Sequence, residues 1–199
     1  CGQYQRLLAD ALFAMPPSQW LCLSAEDMLL WAAREKSGAA RLLHHLMGRG
    51  WAGLGGSDVA GLPDLEVASI ESLLAGDDAD AFIAKPHLEG RPYETTTYSR
   101  CSEQPLIQAL RERFSGGLLT RFSAVLVEVA LTMEALQSMD QSSVTGECKA
   151  DGSGIGIVEA ARGRLIHCVT LQQDEVKSYQ IVAPTEWNFH PQGALVKGL

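Results

Sequence analysis

Apolar positions in the first 75 residues repeat every three or four residues, which is the spacing of one helix face. One such helix is predicted to begin at Ser24, where Asp27 can complete an N-terminal cap, and another to end at Gly48. Six glycines from Gly48 to Gly61 predict a loop, and a short helix is expected over 64–74. The N-terminal part of the chain is therefore predicted to be helical.

The second half combines helical and strand patterns. Residues 103–114 have the spacing of a helix, and residues 118–139 form a longer one whose apolar residues extend beyond one face, so we expect it to be central and buried. Segments rich in β-forming residues, bounded by turn residues, predict strands. The strand candidates are Phe82–Ala84, Tyr93–Tyr98, 155–160, 165–171 and 176–183.

These patterns predict an α+β fold that is rich in helix, has a long central helix and ends in an antiparallel three-stranded meander. A final helix is expected after Pro191. At 199 residues, the chain is long enough for one well-packed core, so a single domain over 1–199 is expected. Within it, residues 1–76 would form a helical lobe and residues 80–199 an α+β lobe.

The composition and charge of the chain exclude some classes of protein. With 46% hydrophobic residues the chain is globular, and a net charge of −8 argues against nucleic-acid binding. No apolar run reaches membrane-spanning length. Five cysteines, an odd number without zinc or redox spacing, indicate a reducing compartment, and we expect the cytoplasm. Because the chain begins at Cys1 rather than methionine, we treat it as a fragment.

A polar corner stands out in the C-terminal segment. Arg162 and Gly163 lie between two apolar strands, and a third strand ends at Pro184-Thr185, which can return to the same place. A guanidinium and a hydroxyl in an apolar setting suit an anionic or strongly polar ligand held in a dry pocket. The alternative is a surface arginine in a turn.

The same segments resemble the large subunits of nickel–iron hydrogenases. That family carries G-x-G-x-x-E-A-P-R-G, a hairpin, and then V-P-T-T-W-N. Here residues 159–163 read EAARG and residues 183–188 read APTEWN. Upstream, residues 84–94 read AKPHLEGRPYE, which is similar to the family's K-A-P-R-Y-D-G-x-P-M-E. The resemblance covers roughly residues 80–195, with its parts in the family's order.

The departures from the family pattern concern the metal ligands. Cys1–Tyr4 looks like the N-terminal C-x-x-C with tyrosine as its second cysteine, and Leu8 stands where a histidine is expected. The chain stops at Leu199, before the second cysteine pair, and Ala161 replaces the proline of the arginine motif. One motif cysteine cannot build a thiolate-rich nickel site. This shortened homologue with degraded metal-ligand motifs resembles the HupK/HoxV-type hydrogenase maturation proteins.

The resemblance implies a non-enzymatic accessory scaffold, or chaperone, for metal-centre assembly. Its transient cargo would be an iron centre with cyanide and carbon monoxide ligands, without nickel. In the family, the arginine that matches Arg162 overhangs the metal site and the residue that matches Thr185 hydrogen-bonds a cyanide. The implied ligand-binding residues are therefore Arg162, Thr185, Pro184 and Ala161, with Cys1 as the metal ligand. The implied partners are hydrogenase maturation proteins and the hydrogenase large subunit.

Two other functions stay open. The chain could be a fragment of a catalytic or decayed nickel–iron hydrogenase large subunit, which a C-x-x-C pair beyond Leu199 would favour. It could also be a protein-interaction module with a vestigial pocket.

Overall fold

The computed structural model describes residues 2–138, 145–149 and 151–199. The helices are α1 (Gly2–Leu12), α2 (Pro17–Leu21), α3 (Ala25–Arg34), α4 (Gly38–Gly48), α5 (Val67–Ala75), α6 (Ala79–Ala84), α7 (Thr97–Arg100), α8 (Pro105–Phe114), α9 (Leu118–Ser138), α10 (Pro184–Asn188) and α11 (Ala194–Gly198). The strands are β1 (Thr145–Cys148), β2 (Ser153–Ala160), β3 (Gly163–Gln172) and β4 (Glu175–Val182). The α+β class with an antiparallel sheet is thereby confirmed.

The described residues fall into two compact units whose segments alternate along the chain. The helical unit takes in the described residues of Cys1–Ser57, Arg100–Gln141 and Gly198–Leu199. The mixed unit takes in those of Asp58–Ser99 and Ser142–Lys197. These units do not coincide with the lobes expected at 1–76 and 80–199, because α8 and α9 pack with the N-terminal helices while α5 and α6 belong with the sheet. The single domain stays a prediction.

The helical unit is organised around aromatic side chains. Phe13 and Trp20 are fully buried, with ring centroids 5.0 Å apart, and Trp31 meets Trp20 edge-on at 5.6 Å. The indole N–H of Trp31 donates to the carbonyl of Phe13 at 2.9 Å. The predicted cap at Ser24 is confirmed, since its hydroxyl accepts the backbone N–H of Asp27 at 3.1 Å.

Helix α9 confirms the predicted long helix, but the expectation that it is central and buried holds for only part of its apolar surface. Leu119 and Val127 are buried, as expected of the face that packs on α2, α4 and α8. Phe122, Val125 and Leu136 are 38%, 44% and 57% exposed. The apolar surface of α9 is therefore wider than the face that those three helices cover.

The mixed unit contains a four-stranded antiparallel sheet in the order β1-β2-β3-β4. The predicted meander corresponds to β2, β3 and β4, and β1 adds a fourth strand that pairs with β2. Composition conceals β1, because its residues, TGEC, lack the expected β-forming pattern. The sheet packs its core face with α5, α6 and α10 around Ile166 and Trp187, which are 1% and 0% exposed.

Two strand predictions are wrong. Phe82–Ala84 lies in α6, where Phe82 packs edge-on against Trp187 at 6.0 Å, because a short apolar run fits a helix as well as a strand. In Tyr93–Tyr98, Glu94 forms only an isolated bridge with Gly61, and α7 begins at Thr97. The helix after Pro191 is confirmed as α11, whereas α10 was not predicted. None of the described helices is long and apolar enough to cross a membrane.

Candidate functional site

The Arg162 corner is the two-residue turn of the β2–β3 hairpin. Ala160 pairs with Gly163, which leaves Ala161 and Arg162 as the turn residues. Gly163 has a φ of +131°, and a Cβ placed there would lie 1.8 Å from the carbonyl oxygen of Thr95 and 2.9 Å from Cβ of Pro184. Only glycine fits this backbone conformation and this close approach.

Asn188 fastens the corner to the rest of the mixed unit. Its Oδ1 accepts the backbone N–H of Thr95 at 2.9 Å, and its Nδ2 donates to the Thr95 carbonyl at 2.9 Å and to the Arg162 carbonyl at 3.2 Å. Neighbouring Trp187 is fully buried. The indole of Trp187 thus packs in the core while the amide of Asn188 bonds backbone groups.

Thr95 continues the network through its side chain. The hydroxyl of Thr95 accepts the backbone N–H of Arg164 at 2.8 Å. The Arg164 guanidinium is itself engaged, 2.8 Å from Asp64 and 2.5 Å from Glu159. Of the two arginines that flank Gly163, Arg164 is therefore structural.

Arg162 differs from Arg164 in having its side chain available. It is exposed rather than enclosed in the expected dry pocket, and among the described residues its guanidinium has no hydrogen bond or ion pair. Thr185 is half-buried in the first turn of α10, and its hydroxyl likewise has no hydrogen bond within the described ranges. Pro184 is buried against Gly163, whereas Ala161 is exposed. Arg162 and Thr185 are thus the chain neighbours of Gly163 and Pro184, which approach each other closely.

The described part of the chain supplies hydrogen-bond donors at this corner but no metal-ligand cluster. In residues 2–138, 145–149 and 151–199, no group of three or more histidine, cysteine or acidic side chains could hold a metal ion. Burial, with a smaller contribution from the Glu128 carboxylate and against the lowering effect of Arg100, raises the pKa of the Cys101 thiol to about 11. The thiol therefore stays protonated at neutral pH. Cys1, the predicted metal ligand, lies outside the described residues.

Thr95 is the residue of this site that the sequence did not reveal. It directly follows Glu94, which ends the segment that resembles the hydrogenase K-A-P-R-Y-D-G-x-P-M-E block and which is 1% exposed. The hydroxyl of Thr96 donates to the Glu94 carboxylate at 2.5 Å. The segments that carry the resemblance therefore meet around Thr95. That position beside a motif was the available signal.

Comparisons with known proteins agree with these motifs. Residues 108–196 match the nickel-dependent hydrogenase family. The chain is 30% identical to the hydrogenase expression/formation protein HoxV of Cupriavidus necator, over 94% of this chain and 52% of that protein. It is 35% identical to HupK of Rhizobium leguminosarum bv. viciae, over 61% of this chain and 34% of that protein.

The matches cover most of this chain but a smaller share of each relative. HupV of Azotobacter chroococcum is 32% identical over 88% of this chain and 48% of its own length. The chain thus spans between a third and about half of these relatives. Among solved structures, the oxidised [NiFeSe] hydrogenase of Desulfovibrio vulgaris Hildenborough aligns with 57% of this chain and 31% of its own, at 20% identity and a TM-score of 0.44. The chain is thus similar over residues 108–196 to the nickel-dependent hydrogenase family, and along most of its length to the HupK, HupV and HoxV expression/formation proteins.

Proposed function

We propose that this chain acts in hydrogenase maturation as an accessory protein, and that it holds an iron centre with cyanide and carbon monoxide ligands while the nickel–iron site is assembled. The names of its relatives, hydrogenase expression/formation proteins, support the accessory role. The observation that carries the finer proposal is that two uncommitted donors, Arg162 and Thr185, are each next in the chain to one residue of the Gly163–Pro184 contact.

The chemistry of a metal-bound cyanide matches these donors. Its nitrogen is electron-rich and accepts hydrogen bonds, and a charged guanidinium forms stronger hydrogen bonds than a neutral donor does. Arg162 would therefore be the main contact and Thr185 a weaker one through its hydroxyl. Pro184 and Ala161 would border the cargo without forming polar contacts to it.

Recognition through the cyanide does not require a full set of protein ligands to the metal. The described residues contain no such set, so the iron would be bound largely through its diatomic ligands. Cys1 would add one thiolate, which suits iron as a soft ligand. Retention by outer contacts and a single thiolate fits a cargo that is later passed to a hydrogenase large subunit.

The rigid backbone of the corner supports this role. Asn188 fixes the Arg162 carbonyl while Gly163 lies against Thr95, so the Arg162 Cα has little freedom and its side chain only has to choose a rotamer. Binding through a pre-organised backbone loses less entropy than binding through a mobile loop.

Infrared spectroscopy tests the proposal. The chain is purified from a host that expresses the hydrogenase maturation proteins and, as a control, from the same host without the proteins that make the cyanide ligand. We expect iron together with cyanide and carbonyl stretching bands only in the first preparation. Folded protein without these bands from the competent host would contradict the scaffold and favour the protein-interaction alternative.

A further inference from the structure

A shallow groove of about 630 Å³ lies on the mixed unit, between α5 and the turn that contains Leu88. Its apolar lining includes Leu65, Leu73 and Leu88, each half-buried. Ser69 and Ser72 of α5 also line it and are exposed. We call this feature the α5 groove. The groove is lined by apolar side chains at depth and by short side chains at the surface.

The sequence of α5 explains this shape. Ile70 and Leu74 point into the core of the mixed unit and are 1% and 5% exposed. On the outer side of the helix, Ala68, Ser69 and Ser72 have short side chains, which protrude little from the helix backbone. A side chain of a partner can therefore approach α5 closely and reach the half-buried leucines.

The charge of the protein is concentrated in the unit that carries this groove. The mixed unit has 15 acidic and 7 basic residues in its sequence ranges, whereas the helical unit has 9 of each. Between residues 58 and 94 there are 9 acidic residues against two cations, Lys85 and Arg91. The whole net charge of −8 therefore belongs to the mixed unit, and most of it to the segment around the groove.

One exposed carboxylate lines the groove, and a second is next in the chain to a lining residue. Glu89 lines it and is exposed, and Glu66, also exposed, immediately precedes α5 beside the lining residue Leu65. Two other carboxylates nearby have partners, since Glu71 binds Lys149 at 2.5 Å and Asp64 binds Arg164. Glu66 and Glu89 are thus available to a cationic partner.

We propose that the α5 groove docks a basic segment of a partner protein. An aliphatic side chain of that segment enters between Leu73 and Leu88, and lysines or arginines on either side of it meet Glu66 and Glu89. The acidic field attracts the segment and the apolar contact retains it. Nucleic acids and anionic membranes are disfavoured as occupants because this surface is negative. The proposal stands on residues other than those of the Arg162 corner.

Fluorescence anisotropy with labelled peptides tests the docking. The probe is a short peptide with leucines flanked by lysines and arginines, and its controls replace either the leucines by serines or the basic residues by glutamates. The chain is tested as the wild type, as Glu89→Lys and Ser72→Arg in the groove, and as Glu175→Lys on exposed β4, which matches the first variant in charge. Circular dichroism verifies the fold of each variant.

We expect saturable binding only of the peptide that has both leucines and basic residues, and added salt should weaken this binding. Glu89→Lys and Ser72→Arg should each weaken the binding by about fivefold or more, whereas Glu175→Lys should bind about as tightly as the wild type. Glu89→Lys keeps the test decisive if Ser72→Arg does not fold. Equal weakening by Glu175→Lys would show diffuse attraction to an acidic protein and overturn the proposal. Equal binding of the serine peptide, or no saturable binding at all, would overturn it as well.

Discussion

The carboxamide of Asn188 bonds both the N–H and the carbonyl of Thr95, a residue 93 positions earlier in the chain. In this way one side chain satisfies two backbone groups, as a neighbouring strand would. The same amide also donates to the Arg162 carbonyl at 3.2 Å. The position of the Arg162 corner is therefore set by α10 and by the segment after Glu94.

Asn188→Asp is expected to destabilise the mixed unit. The substitution keeps the shape of the side chain but replaces the Nδ2 donor by an oxygen that faces the carbonyls of Thr95 and Arg162. With two hydrogen bonds lost at 0.5–1.5 kcal/mol each, we expect a loss of about 1–3 kcal/mol. Urea unfolding measures it. A free energy of unfolding unchanged from the wild type would mean that the amide network does not hold the corner.

Gly163→Ala should be far more damaging than Gly156→Ala. A Cβ at residue 163 would lie 1.8 Å from the Thr95 carbonyl oxygen, at a φ of +131°. At Gly156 in β2, nothing lies within 4 Å of the added atom. We expect thermal unfolding to show a loss of about 3 kcal/mol or more for the first variant and less than about 1 kcal/mol for the second. Equal effects would contradict the close packing of the corner.

Cys101 should make stability fall at high pH. Its pKa rises from 9.0 to about 11 on folding, chiefly through burial, so the fold favours the neutral thiol. This contribution is complete below pH 9 and is lost as the pH rises from about 9 to about 11. Over that range the wild type should lose roughly 2–3 kcal/mol more than Cys101→Ala. Urea unfolding across the pH range measures this difference, and parallel curves would show that the thiol is not buried in the native state.

Thr185→Val should weaken retention of the iron cargo only partly. The change removes one neutral hydroxyl and keeps the size of the side chain, and such a hydrogen bond contributes about 0.5–1.5 kcal/mol net. Iron content and infrared bands of the folded variant measure the effect. A loss as complete as that expected for Arg162→Ala would contradict the assignment of Arg162 as the main contact and Thr185 as the weaker one.

Cys1→Ser should have an effect between those of Arg162→Ala and Thr185→Val if the thiolate ligates iron.

The sequence predicted what depends on local pattern. The cap at Ser24, helix α9 and the β2–β4 meander follow from capping chemistry and hydrophobic periodicity, which act over a few residues. The helical state of Phe82 depends on its packing against Trp187, about a hundred positions away, and such contacts override local preference. The same reason hides the contact of Thr95 with Gly163, whereas the approach of Pro184 to the Arg162–Gly163 turn follows from the strand pattern.

Arg162→Ala tests the central claim most directly, with Arg91→Ala as its matched control. Both arginines are exposed in the mixed unit, and neither has a side-chain hydrogen bond or ion pair among the described residues, so both variants should fold with stability near that of the wild type. The measurement is iron content together with cyanide and carbonyl infrared bands, on protein from a host with the complete maturation machinery. We predict that Arg162→Ala loses both while Arg91→Ala keeps both. Full retention by folded Arg162→Ala would contradict the account and leave Arg162 as a turn residue.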